Sequence, residues 1–124
     1  MKEHLVALNI ITNSSISRDA LISEFNAPNL MLVHRELEDG LMWIVESQLD
    51  VGKPLLDHIN YLISVFDHAG QIKATEAVRK IYMNIGVIYD TASCTVALPN
   101  EVIQTLLRVF PDLNIEITCY PSNE

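Results

Sequence analysis

Glu36, Glu38, Asp39, Glu46 and Asp50 crowd one stretch of the chain, and paired carboxylates are the first place to look for chemistry. Two such groups divide acid and base roles when a cleft moves their pKa values apart. Here Asp39 is followed by Gly40, so the cluster straddles a hairpin turn, which is normally solvated rather than enclosed in a cleft. That setting favours a charged solvent face or a docking surface over acid–base catalysis. No enzyme activity is expected.

The other reactive residues are scattered. His4, His34, His58 and His68 share no ligand spacing, and neither H-x-x-x-H nor C-x-x-C occurs, so no metal is expected. His58 and His68 fall near the two ends of one helical pattern, and the end position suits a cation. Cys94 has no base beside it in sequence to make it a nucleophile. Cys94 and Cys119 read as buried, reduced core residues, with a disulfide between them as the alternative. Asn9 to Ser17 holds no glycine, which excludes a phosphate-cradling loop there. No cofactor is expected.

A length of 124 residues suits a single domain spanning 1–124. Apolar residues make up 49% of the chain, too many for disorder, yet in runs too short for a membrane helix. Met1-Lys2-Glu3-His4 leads into a strand-like run without a cleavage-site pattern, so a cytoplasmic protein is expected. Sixteen acidic against eight basic residues give a formal charge of −8. That charge repels nucleic acid and anionic membranes, whose binding needs clustered Lys and Arg. It serves solubility, or it meets a basic protein partner.

The elements that carry these residues follow from apolar periodicity. Leu5 to Ile11 is apolar on both faces, as in a central strand. Ser17 is an N-cap for a short helix that turns Ala20, Leu21 and Phe25 inward and ends at Asn26 to Asn29. Leu30 to Leu37 and Leu41 to Ser47 form a hairpin. A three-residue loop, Glu38-Asp39-Gly40, with glycine in the left-handed position, sets Arg35 opposite Trp43 and Val33 opposite Val45. On that register Val33, Leu37, Leu41, Trp43 and Val45 face inward, with the Arg35 stem along the indole. Leu32, His34, Glu36, Met42, Ile44 and Glu46 face outward.

Pro54 opens a helix whose stripe is Leu55, Ile59, Leu62, Ile63 and Phe66, with Gly70 as its stop and Ile72 to Val78 left ambiguous. Ile81 to Ile88 alternates as a strand, and Thr95 to Leu98 reads as a short one. Pro99-Asn100-Glu101 opens a third helix with Val102, Ile103, Leu106, Leu107 and Phe110 on its apolar face. Leu113 to Tyr120 alternates as the last strand. The order implies an α+β fold: a ferredoxin-like split β-α-β sandwich, an antiparallel sheet with helices on one face, plus a C-terminal helix–strand extension.

Trp43 to Ser47 (WIVES), Leu55-x-x-His58-Ile59, and Leu98-Pro99-x-Glu101 running on to Leu113-x-Ile115-x-Ile117 together resemble a family of small bacterial domains of unknown function. Some proteins of this size and acidity are immunity proteins that block a toxin. The resemblance implies such a role here, and it carries over no catalytic residues. The expected site is the outer hairpin face: Leu32, His34, Glu36, Glu38, Asp39, Met42, Ile44, Glu46 and Asp50 would cover a basic toxin domain, since acid-rimmed apolar patches suit protein partners. Two alternatives stand beside it. One is a small-ligand pocket near Trp43, His58 and Tyr61; the other is a homodimer through the sheet faces.

Overall fold

The computed structural model describes residues 2–25, 33–66, 78–90 and 94–122. It runs β1 (Lys2–Thr12), α1 (Arg18–Phe25), β2 (Val33–Leu37), β3 (Gly40–Glu46), α2 (Leu55–Phe66), β4 (Val78–Tyr89), α3 (Asn100–Val109) and β5 (Leu113–Pro121). One five-stranded sheet has the order β2-β3-β1-β4-β5. The fold is α+β. The sheet is mixed rather than antiparallel, because β5 runs parallel to β4. A helix between two neighbouring strands returns the chain to its starting edge, and α3 does this between β4 and β5.

β1 sits between β3 and β4, which is why both of its faces are apolar. Its residues Leu8 and Ile10 lie opposite Val45 and Trp43 on one side and Met83 and Ile81 on the other. All six are buried. Leu21 of α1, Ile59, Leu62 and Phe66 of α2, and Leu106 of α3 close over them in one core. Phe110, just beyond α3, meets Phe66 edge to face at 5.4 Å. The N-cap at Ser17 is present, its Oγ accepting from the Ala20 amide at 3.1 Å.

Several expectations need correction. Thr95 to Leu98 is not a strand; β5 holds the place beside β4, while Val96 and Leu98 pack on the core as irregular chain. Leu107 points outward, 45% exposed, and Val109 is buried instead, since consecutive helical residues lie about 100° apart around the axis. Cys119 is exposed and Cys94 half-buried, so neither is a buried core thiol. Leu32, His68, Gly70, residues 72–77 and the side chains of Phe25 and Val33 lie outside the described residues.

The hairpin register is the correction with most consequence. Val33 pairs with Ile44, His34 with Trp43, Arg35 with Met42, Glu36 with Leu41 and Leu37 with Gly40. The turn is therefore two residues, Glu38-Asp39, and Gly40 already belongs to β3. The cause lies outside the hairpin. A Cβ on Gly40 would stand 2.4 Å from the Thr12 carbonyl oxygen and 2.6 Å from Arg79 Nη2. Glycine is needed there for close approach of β1 and β4. Arg79 Nη2 also donates to the Asp39 carbonyl at 3.1 Å, tying the turn to β4.

Candidate functional site

A one-residue change of register sends every side chain of a strand to the opposite face. His34 and Glu36 therefore share the side of Trp43, and the His34 ring lies 5.3 Å from the indole, where Arg35 was expected. Arg35 shares the open side of the sheet with Met42. The expected outer patch is thus divided. Met42, Ile44 and Glu46 remain on the open side, and His34 and Glu36 do not. Glu38 and Asp39 form the turn, with Asp39 Oδ2 3.4 Å from Arg79 Nη1. Asp50 accepts from the Gly52 amide at 2.8 Å and so shapes the loop after β3.

The open side carries a different site, assembled from four strands. Glu46, Ala7, Asn84 and Glu116 lie in one transverse row. Leu5, Gly86 and Thr118 form the next, and Ile88 and Tyr120 sit in the one beyond. With strands about 4.8 Å apart, the two glutamates stand about 14 Å apart at the backbone. Between them runs a groove of about 560 Å³ whose lining includes Leu5, Ala7, Gly86, Val51 and Tyr120. Leu5 is 50% and Tyr120 49% exposed. Gly86 leaves the floor low, and the Tyr120 ring lies 3.6 Å from where its Cβ would be.

The side chains themselves close the other end of this face. Tyr82 reaches across β1 to donate to Met42 Sδ at 3.2 Å, and Lys80 Nζ stands 4.8 Å from its ring centre. Asn9 is 3% exposed, although it lies in the open-side row with Ile44 and Tyr82. Burial holds the Tyr82 pKa above its usual value; the charge of Glu116 adds to the rise and Arg35 opposes it. The influence of Arg35 agrees with the observed register, which puts it on the same side as Tyr82.

The groove also touches His4, Ser47 and His58. The loop after β3 continues alongside β1, with Ser47 N donating to Val6 O at 2.9 Å and His4 N to Val51 O at 2.8 Å. Ser47 Oγ and His58 Nδ1 share a 2.7 Å hydrogen bond, and His58 is 1% exposed. Burial, then the neighbouring His4, lowers the His58 pKa, so the ring is neutral at pH 7. Its Nε2 is buried, and backbone hydrogen bonding at Lys53 and Asp50, with the Asp57 charge, partly opposes that lowering. A neutral imidazole bonded to a hydroxyl can accept its proton. The WIVES and L-x-x-H-I motifs each contribute one member of this pair, a link that no local spacing reveals.

Among the described residues, the groove does not bring together Trp43, His58 and Tyr61, where a ligand pocket was expected. Trp43 donates its indole N–H to Thr12 Oγ1 at 2.8 Å within the core, and of the three only His58 lines the groove. Among the described residues no helix is long and apolar enough to cross a membrane. No protein-family model, curated protein or solved structure gives a significant match to the chain.

Proposed function

We propose that the chain is a non-enzymatic protein-binding domain that docks a basic partner on the open side of its sheet. The carrying observation is the row Glu46–Ala7–Asn84–Glu116, which sets exposed carboxylates on both walls of a groove of mixed lining, with Leu5, Val51 and Tyr120 as its apolar part. Half-exposed Leu5 and Tyr120 supply area to desolvate, and acids at the rim steer a positive surface toward it. The wall separation admits one helix of about 10–12 Å diameter. The concrete instance we favour, on the sequence resemblance, is a cytoplasmic immunity protein neutralising a bacterial toxin. A ferredoxin-like split β-α-β arrangement of the first six elements goes with this reading, supported by two helical crossovers that each skip one strand.

Co-purification from the native host should recover a basic protein, and the Glu46→Lys/Glu116→Lys double variant should associate with it at least about tenfold more slowly at low salt. Unchanged association across a salt series, with the fold intact, would overturn the proposal.

A further inference from the structure

Cys94 and Cys119 come from different elements, the irregular chain before α3 and the edge strand β5, yet their sulfurs stand 2.7 Å apart. Both remain thiols. Cys94 is held from behind, since it packs against the core with Val96 and Leu98. Cys119 lies opposite Val87 in the parallel pairing of β4 with β5, and among the described residues β5 has a strand on only one side. One thiol is therefore fixed by the core and the other is open to solvent. An exposed thiol can meet a soluble disulfide, and a fixed neighbour can resolve the product.

We propose that Cys94 and Cys119 are a redox modification site, closed by a low-molecular-weight disulfide such as oxidised glutathione. The Cys119 thiolate attacks one glutathione sulfur, forming a mixed disulfide and releasing one reduced glutathione. The Cys94 thiolate then attacks the Cys119 sulfur, forming the internal S–S bond and releasing the second. The protein loses two electrons and two protons, and oxidised glutathione becomes two molecules of the reduced form. A reducing pool runs the sequence backwards, so the site is reversible.

The consequence is mechanical. The bond ties the segment before α3 to β5, whose residues Thr118 and Tyr120, on either side of Cys119, line the groove. It closes a loop of 25 residues' separation that contains all of α3.

The test uses the full chain in oxidised glutathione, read by intact mass and peptide mapping. The expected result is loss of two hydrogens, one peptide linking Cys94 to Cys119, and a midpoint of thermal unfolding raised by about 10 °C over the reduced chain. The Cys94→Ser variant should instead stop at one glutathionyl adduct on Cys119, because the resolving thiol is gone. Separate glutathionyl adducts on both cysteines of the wild-type chain, or bridging no more complete in buffer than in denaturant, would overturn the proposal.

Discussion

Replacing Gly40 by alanine should destabilise the protein by about 2 kcal/mol, and the reasoning behind that figure fixes the hairpin register. The added Cβ would stand 2.4 Å from the Thr12 carbonyl oxygen, where ordinary contact begins near 3.4 Å. About 1 Å must be found, and the Thr12 carbonyl, at the end of β1 but paired with β3 and β4 on either side, has little room to swing aside. Overpacking of this kind costs about 1–3 kcal/mol. Displacing Arg79 from Asp39 adds only a few tenths, because that exposed pair is worth little. Relief of glycine's backbone entropy returns about 0.5–1 kcal/mol. In urea unfolding the midpoint should fall by about 1 M at an unchanged slope. Gly86→Ala is the control, since its Cβ would meet nothing closer than 3.5 Å, and it should be close to neutral. Gly40→Asn separates the two turn geometries. A left-handed glycine tolerates asparagine, whereas a glycine pressed against β1 does not. If asparagine restores the stability that alanine removes, the two-residue turn is wrong.

Thr12→Val should cost about 1–3 kcal/mol in the same assay, because it leaves the buried Trp43 N–H without its acceptor. Stability should fall as pH drops below 6.5: the unfolded chain protonates His58 there, while burial holds the folded pKa lower, so the unfolded state binds the extra proton. His58→Leu should flatten that limb relative to wild type, measured as unfolding midpoints across pH.

Local signals carried the elements well. The α2 stripe Leu55, Ile59, Leu62, Ile63 and Phe66 is buried as its spacing predicts, and so is the β4 alternation Ile81, Met83, Ile85 and Val87. Trp43 and Val45 face the core. What was illegible depends on partners remote in sequence. The hairpin register is set by Thr12 and Arg79, so the charge and apolar pattern within the hairpin points to a three-residue loop that does not form. The parallel direction of β5 follows from which strand it joins, and alternation of Leu113 to Tyr120 is silent on that. Cys119 alternates with the apolar residues of β5 yet is exposed, because β5 is an edge strand. The groove joins residues of β1, β3, β4 and β5. Only the sheet order brings Glu46 and Glu116 to opposite walls of it.

The docking face is tested most directly by backbone amide shifts in solution, with a short amphipathic Lys/Leu helix as the basic probe. Salt-sensitive shifts at Leu5, Glu46, Gly86, Glu116 and Tyr120, lost in the Glu46→Lys/Glu116→Lys variant, are the expected result. Shifts confined to Glu36, Glu38 and Asp39 at the hairpin tip, or none at millimolar probe, would contradict it.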